Sequence, residues 1–171
     1  MSAASSQVWL GHGASGGPET MQPYIRRLSK LGIDASALRL PRGAAERAMT
    51  SLREQVGAAL PDSVIGGHSY GGRVASMVAA ETAPAGLVLL SYPLHRPGHP
   101  EELRVEHWSR IDCPVLVLAG DRDQFARVEL LRQSTRLLAD VELHLYAGSR
   151  HGLQHLAGDV ASRIAEFTRR L

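Results

Sequence analysis

One stretch decides the fold: Val64-Ile65-Gly66-Gly67-His68-Ser69-Tyr70-Gly71-Gly72. A short apolar run leads into the motif G-x-S-x-G, and residues 73–80 behind it have the pattern of a helix. A strand, this motif and a helix, in that order, predict a nucleophile elbow. In an elbow, a tight strand-to-helix turn lifts the serine hydroxyl above the edge of the sheet, with the serine in a strained backbone conformation.

The elbow motif has a chemical reason for each of its residue types. A serine hydroxyl is a weak nucleophile until a base takes its proton, so Ser69 has to stand where a base and a substrate reach it. Gly67 and Gly71 flank it because a side chain at either position would collide across the turn. The first N–H groups of the helix point to where negative charge would develop. A glycine turn that contains a serine by chance is the alternative, which the flanking strand and helix disfavour.

Composition predicts one globular domain spanning residues 1–171. Hydrophobic residues make up 44% and charged residues 21% of the chain, which is ordinary for a globular protein. No apolar run approaches the roughly 20 residues that a membrane span needs. The net charge of +2 is spread along the chain, which argues against a nucleic-acid partner. A single cysteine, Cys113, and the absence of a secretory pattern in residues 1–6 lead us to expect a cytoplasmic protein.

Apolar runs and helical periodicity alternate along the chain. Besides the elbow strand, we predict strands at residues 7–10, 35–40, 87–90, 114–119 and 141–146. Six such alternations predict a three-layer α/β/α sandwich with a six-stranded, mainly parallel sheet. Ligands bind outside the carboxyl ends of strands in such sheets, so the loops at those ends should share one crevice.

Helices are predicted from apolar residues that recur at steps of three and four. One begins near Met21 and closes at Gly32, and a second continues to Ala59 before Pro61 stops it. Further helices are expected at residues 101–108, 128–138 and 160–171, the last with Asp159 near its start as a cap.

A base and an acid should follow the serine in the order serine, acid, histidine. His151 lies in a glycine-flanked turn after the sixth strand, as a base delivered by a loop should, and His155 is its rival. Asp121 and Asp123 both follow the fifth strand, and their spacing alone leaves open which one faces the crevice. The acid would hold the imidazole in the correct tautomer.

The loop after the first strand, Gly11-His12-Gly13-Ala14, faces the elbow in this topology. Its glycines would let backbone N–H groups turn toward Ser69 and form half of an oxyanion hole, with the Tyr70 N–H as the other half. An ordinary glycine turn is the alternative. A dinucleotide loop is disfavoured because the position about 20 residues on offers only Asp34.

Other histidines are interpreted as structural. His144 alternates with leucines inside a strand, and His68 is expected to pack or form hydrogen bonds rather than act as a base. His95 and His99 are four apart, but the proline and glycine between them preclude the helix that would bring both to one metal. We therefore expect no metal and no cofactor.

Four stretches, residues 12–14, 67–72, 92–104 and 120–125, carry a family resemblance. Through them the sequence resembles the α/β-hydrolase superfamily over nearly its whole length. More closely, it is similar to the small group that includes the testis-expressed protein thirty relatives and bacterial dienelactone-hydrolase-like proteins. The resemblance implies Asp123, the last residue of G-x-x-D, as the acid, His151 as the base, and Ala14, after His-Gly, as an oxyanion donor.

Two features depart from larger or better-known relatives. The resemblance implies a reduced core of six strands without a cap domain, since only residues 91–112 separate the fourth and fifth strands. True dienelactone hydrolases use a cysteine nucleophile, whereas the elbow residue here is Ser69, so their substrate is not carried over.

These patterns and the resemblance together predict a serine hydrolase. We expect it to cleave a carboxylic ester or thioester of a small molecule through an acyl-enzyme, with His12, Tyr92 and Phe125 in the substrate pocket. The alternative is a non-catalytic binding or scaffold domain of the same fold. Retention of every triad residue type at the correct strand ends argues against that alternative.

Overall fold

The computed structural model describes residues 6–171, so most of the stretch 1–6, on which the leader expectation rests, lies outside it. Within residues 6–171 there are six strands and five α-helices, and an α-helix follows every strand except the fourth. The strands are β1 (Val8–Gly11), β2 (Ala35–Leu38), β3 (Val64–His68), β4 (Gly86–Leu90), β5 (Val115–Gly120) and β6 (Val141–Tyr146). The α-helices are α1 (Gln22–Lys30), α2 (Ala45–Val56), α3 (Tyr70–Ala79), α4 (Val128–Ser134) and α5 (Ala157–Arg169).

The strands form one sheet in the order β2-β1-β3-β4-β5-β6, and every neighbouring pair is parallel. The prediction of a six-stranded α/β/α sheet is confirmed, and the sheet is parallel throughout rather than mainly so. The strand order reverses at β1, because the chain moves outward to β2 and then returns to β3 on the other side. The carboxyl ends of β1 and β3 therefore lie beside each other at a topological switch point.

Apolar side chains cover both faces of the sheet. On one face, α2 and α3 pack over buried residues such as Leu52, Val74 and Leu89. On the other face, α1 and α5 pack through residues such as Leu28 and Ile164. Side chains alternate between the two faces along a strand. Helices cover both faces here and exclude solvent, so the central strands are continuously apolar.

The connection between β4 and β5 contains no strand of the sheet and no cap domain within the described chain, as the sequence predicts. The helix expected at residues 101–108 is absent, and that prediction is wrong. The segment lies in turns because the Arg104 N–H donates to the Leu94 carbonyl at 2.8 Å and the Tyr92 hydroxyl donates to the Arg104 carbonyl at 2.6 Å. These cross-links use the backbone groups that a helix would need.

Several helix boundaries also differ from the predictions, since α4 ends at Ser134 and α5 spans Ala157–Arg169. Helix α2 ends at Val56 because Gly57 takes a φ of 62°, and a 3₁₀ segment then continues through Asp62. Asp159 does not cap α5, since it lies inside the first turn and accepts hydrogen bonds from the Tyr146 hydroxyl and the Arg163 guanidinium. Among the described residues, no helix combines the length and apolar character needed to cross a bilayer.

Candidate active site

Ser69 occupies the turn between β3 and α3 in a strained conformation. Its φ is 51° and its ψ is −115°, a combination that residues other than glycine rarely adopt. The turn is held on both sides, because the Ser69 N–H donates to the Leu90 carbonyl at 2.9 Å and its own carbonyl accepts the Arg73 N–H at 3.0 Å. A Cβ at Gly67 or Gly71 would collide with the Gly11 carbonyl, which is the close approach expected of an elbow.

A hydrogen-bonded relay joins Ser69 to two side chains from other strand ends. The Ser69 Oγ lies 2.8 Å from His151 Nε2, and His151 Nδ1 lies 2.8 Å from Asp123 Oδ2. The Asp123 carboxylate is fully buried, and its second oxygen accepts the Phe125 N–H at 2.8 Å. An ionised carboxylate only accepts hydrogen bonds, so Nδ1 carries the imidazole proton and Nε2 presents its lone pair to the serine hydroxyl.

The rival residues lie elsewhere and have other partners. Asp121 is exposed and accepts the Gly148 N–H at 2.7 Å, which fixes the loop that carries His151. His155 Nε2 lies 3.4 Å from the Ser149 hydroxyl, beyond that same loop. Of the residues that the sequence left open, the structure brings Asp123 and His151 to Ser69.

Two rings flank the imidazole of His151. The Phe125 ring centroid lies 4.3 Å away and that of His68 lies 5.1 Å away. His68 Nε2 also lies 2.9 Å from the His151 carbonyl oxygen, so it carries a proton and donates it there. Burial lowers the pKa of His68, which keeps this ring neutral near pH 7. His68 therefore holds His151 in place, in line with the hydrogen-bonding role expected for it.

Ala14 and Tyr70 both line the cavity beside Ser69. Tyr70 is the first residue of α3, and the first N–H groups of a helix have no partner inside it. Within residues 6–171, neither the Tyr70 N–H nor the Ala14 N–H donates to a protein acceptor. The loop of Ala14 passes over the elbow, since a Cβ on Gly13 would lie 3.1 Å from His68 Nδ1. Both N–H groups are thus free to bind an oxyanion.

The relay opens into a cavity of about 480 Å³, a size typical of small-molecule sites. Its walls come from the loops at the carboxyl ends of five strands. Phe125 lines it, whereas His12 and Tyr92 do not, so the prediction that those two would contact substrate is wrong. The lining residues are Gly13, Ala14, Ser15, Gly16, Thr20, His68, Ser69, Tyr70, Arg73, Pro93, Arg104, Phe125, His151 and Gln154.

His12 and Tyr92 are excluded from the cavity because their polar atoms are used inside the protein. His12 is 3% exposed, donates from Nδ1 to the Gly13 carbonyl and accepts the Leu40 N–H at Nε2. Tyr92 is 1% exposed, and its ring packs against Trp108 with centroids 4.9 Å apart while its hydroxyl binds a backbone carbonyl. Both side chains position loops around the site.

The sequence interpretation missed the two cationic side chains of the cavity. Arg73 follows Ser69 by four residues, about one helical turn, so its position beside the elbow could have been found from the helix period. Arg104 comes from the irregular β4–β5 connection, where no periodicity indicates direction. Its place in the cavity depends on the hydrogen bonds to Leu94 and Tyr92 described above.

His95 fastens two loops together. Its Nδ1 donates to the Arg96 carbonyl at 2.9 Å, and its Nε2 accepts the Arg127 N–H at 3.1 Å. Both ring nitrogens are therefore used for protein contacts. In the described part of the chain, one group offers three ligand atoms close enough for a metal ion, and all three residues are exposed: His99, Glu101 and Glu102.

The chain belongs to the alpha/beta hydrolase domain family, whose model matches residues 5–167. Its sequence is also similar to part of the non-heme chloroperoxidase CPO-A1 of Kitasatospora aureofaciens. That match is 36% identical over 55 residues, which are 32% of this chain and 20% of the chloroperoxidase. The similarity therefore concerns one segment of a much longer protein.

Solved structures share the fold at low sequence identity. A predicted CIB-like hydrolase from Thermoplasma acidophilum superposes with a TM-score of 0.81 and 19% identity, covering 100% of this chain and 89% of that one. A monoacylglycerol lipase from Paleococcus ferrophilus gives a TM-score of 0.81 at 17% identity, covering 95% and 93%. These likenesses establish the architecture over nearly the full length of each chain.

Proposed function

We propose that this protein is a serine hydrolase that cleaves a carboxylic ester or thioester of a small molecule through an acyl-enzyme. The observation that carries the proposal is the relay from Ser69 through His151 to Asp123, with both of its hydrogen bonds at 2.8 Å. The relay stands at the floor of a cavity that a substrate can enter. Membership of the alpha/beta hydrolase family supports the same conclusion.

Acylation begins when His151 Nε2 takes the proton of Ser69 as Oγ attacks the substrate carbonyl carbon. The carbonyl oxygen becomes an oxyanion, which the N–H groups of Tyr70 and Ala14 stabilise. The tetrahedral intermediate collapses, the bond to the leaving oxygen or sulfur breaks, and the His151 proton passes to that atom. An alcohol or thiol departs, and the acyl group remains on Ser69.

Deacylation repeats these steps with water. His151 takes a proton from water as its oxygen attacks the acyl carbon, and the proton then returns to Ser69 Oγ as the carboxylic acid departs. Throughout both halves, Asp123 keeps the Nδ1 proton in place and stabilises the imidazolium that forms. Its burial and its bond to the Phe125 N–H hold that carboxylate in one orientation.

Other features extend the proposal. The α-helices of the described residues all pack on one sheet, which supports a single domain over residues 1–171. The absence of a cap in the described chain leaves the cavity open, which suits a small ester in solution. The run at residues 92–104 favours placing the chain with the testis-expressed protein thirty and dienelactone-hydrolase-like group. The lipase activity named for one structural neighbour supports an ester as the substrate.

Trapping the acyl-enzyme tests the proposed reaction. The purified protein is mixed with 4-nitrophenyl acetate, with 4-nitrophenyl butyrate and with an acetyl thioester. The mass of the intact protein in quenched samples is then measured by mass spectrometry. We expect turnover and a mass increase of one acyl group, both lost in Ser69→Ala. A folded protein that neither turns over any of these compounds nor gains an acyl group would instead support the non-catalytic alternative.

A further inference from the structure

We propose that Arg73 and Arg104 bind an anionic group, a carboxylate or a phosphate, that the ester or thioester substrate carries. This inference deepens the proposed function and rests on it. It names a substrate class, since it requires a negative charge on the molecule whose ester bond is cleaved.

The two arginines reach the cavity from different parts of the fold. Arg73 lies on α3, one turn beyond Ser69, and its backbone N–H donates to the Ser69 carbonyl at 3.0 Å. Arg104 lies in the β4–β5 connection, where its own N–H and carbonyl are bonded to Leu94 and Tyr92. Both backbones are therefore anchored, and both side chains line the cavity that contains Ser69.

Neither guanidinium has an acidic partner within residues 6–171. No carboxylate lies within 4.0 Å of the nitrogens of Arg73 or Arg104, and the Nε of Arg73 is buried without a hydrogen-bond partner. Nearby exposed arginines differ, since Arg96 pairs with Glu102 at 2.6 Å. A buried N–H without an acceptor destabilises the folded protein. Among the described residues, no carboxylate compensates the charge of either arginine beside the cavity.

The cavity is positively charged as a whole. Among the described residues that line it, none is an aspartate or glutamate, and Arg73 and Arg104 are the two that are permanently charged. Burial, together with the positive charge of Arg73, lowers the pKa of Arg104, as expected for two cations that face the same space. The amino end of α3 adds a further partial positive charge beside Ser69. A neutral ester would leave these charges uncompensated.

The chemistry of guanidinium narrows the choice of ligand. Its planar fork donates two parallel hydrogen bonds, which match the oxygens of a carboxylate or a phosphate. A carboxylate would most simply sit on the acyl side, as in a half-ester of a dicarboxylic acid. A phosphate would most simply sit on the leaving group, as in a phosphorylated thiol. The recognition chemistry is the same, and the two sources can be separated by substrate design.

Two matched pairs of substrates test the inference. The first pair is the 4-nitrophenyl half-ester of glutaric acid and 4-nitrophenyl valerate, which differ in the terminal carboxylate. The second pair is acetyl-phosphopantetheine and acetyl-pantetheine, which differ in the phosphate. We expect at least one charged member to have a kcat/KM about tenfold or more above its neutral partner, mainly through a lower KM. That preference should shrink at high salt.

Three variants identify the groups responsible. Arg73→Gln and Arg104→Gln should each reduce the charged-to-neutral ratio of kcat/KM about tenfold, whereas Arg73→Lys, which keeps the charge but loses the fork, should reduce it less. Arg96→Gln is the matched control, because this exposed arginine pairs with Glu102 outside the cavity, and it should keep the parental ratio. Thermal unfolding of each variant shows that the fold is kept.

The outcomes separate this inference from the proposed function. Hydrolysis of neutral esters through Ser69 with no preference in either pair overturns the inference and leaves the function standing. A preference that survives Arg73→Gln combined with Arg104→Gln also overturns it. Absence of any hydrolysis overturns the proposed function, and the inference then falls if calorimetric titration shows no binding of glutarate or phosphopantetheine to the wild-type protein.

Discussion

Two serines of one turn-and-helix unit, the elbow turn and α3, each contact a histidine from another part of the chain. Ser69 Oγ is 2.8 Å from His151 Nε2, and Ser76 Oγ is 2.7 Å from His107 Nε2. The residue types and atoms are the same and the distances differ by only 0.1 Å, so none of these properties distinguishes the two pairs. What differs is the direction of the proton in each hydrogen bond.

The hydroxyl proton of Ser76 is already used in a hydrogen bond to a backbone carbonyl. Its hydroxyl donates to the Arg73 carbonyl at 2.7 Å, so the His107 Nε2 must carry a proton and donate it to the serine oxygen. In the other pair, Asp123 accepts a hydrogen bond from the Nδ1–H of His151, and the Ser69 hydroxyl donates to Nε2. Only the second arrangement offers a base to the serine.

Surroundings reinforce this difference. Ser76 is fully buried and His107 is 5% exposed, with no carboxylate bonded to the ring among the described residues. The pair connects the β4–β5 connection to α3, which makes it a structural bond. The Ser69 pair opens into the cavity from a strained turn. Whether the histidine can accept a proton from the serine therefore depends on the other hydrogen bond that each residue makes, to the Arg73 carbonyl in one pair and to Asp123 in the other.

Removing each serine in turn should give opposite phenotypes. Ser69→Ala should lower kcat on a neutral ester by about 10⁴ to 10⁶ while the protein stays folded. Ser76→Ala should leave kcat within a few-fold of the parent but lower the free energy of unfolding by about 1–3 kcal/mol, because the His107 N–H loses its acceptor. Steady-state kinetics and urea unfolding measure the two effects.

Two outcomes would contradict the assignment of Ser69 as the nucleophile and of Ser76 as a structural residue. If Ser69→Ala keeps most of the turnover, another nucleophile performs the reaction. If Ser76→Ala loses turnover as completely as Ser69→Ala at unchanged stability, the division between a chemical and a structural pair is incorrect.

The acid that orients His151 is the next largest test. Asp123→Asn should lower kcat by about 10⁴, because an amide can present an N–H to Nδ1 and favour the wrong imidazole tautomer. Asp121→Asn is the matched control, since Asp121 is exposed and bonds the Gly148 N–H outside the relay. Kinetics on the same ester compare them. Equal losses, or a larger loss for Asp121→Asn, would move the acid to Asp121.

The oxyanion donors should show a smaller effect. Ala14→Pro removes one backbone N–H and should lower kcat about 10² to 10³-fold, with less change in KM. Ala14→Gly keeps the donor and should behave like the parent. Phosphonate labelling and thermal unfolding of both variants check that the loop is intact. Parental turnover by a well-folded Ala14→Pro protein would place the second donor elsewhere in the loop at residues 11–17.

The buried pair should make stability depend on pH. Burial lowers the pKa of His107, whereas an unfolded chain protonates histidine near pH 6.5. The unfolded state therefore binds more protons below that pH, so stability present above pH 6.5 is lost as pH falls. Urea unfolding at pH 7 and pH 5 should show a smaller loss for His107→Gln, whose amide keeps an N–H donor. An identical loss in that variant would show that His107 does not contribute.

Much of the fold could be predicted from the sequence because its signals are local. Continuous apolar runs marked the buried strands, and steps of three and four marked the helices. The elbow was equally visible, since Gly67 and Gly71 have to lack side chains where they meet Gly11. The helix predicted at residues 101–108 does not form, because the N–H and carbonyl of Arg104 form hydrogen bonds with Leu94 and Tyr92 instead.

The site residues that lie at strand ends could be predicted from the sequence. Those whose side-chain positions depend on contacts between distant parts of the chain could not. Ser69, His151 and an aspartate after β5 could be placed from topology. The pocket positions of His12 and Tyr92 could not, because hydrogen bonds to Leu40 and Arg104 turn those side chains inward. The Ser76–His107 pair joins residues 31 apart in sequence, and no local pattern marks it.

The central claim is that Ser69, and not Ser76, is the activated nucleophile. A fluorophosphonate reacts with activated serines, so the wild-type protein is labelled at neutral pH, digested, and the modified peptide is sequenced by mass spectrometry. The account predicts one label per chain, on Ser69, retained in Ser76→Ala and absent from Ser69→Ala. A label on any other serine, or a folded wild-type protein that takes up none, would contradict it.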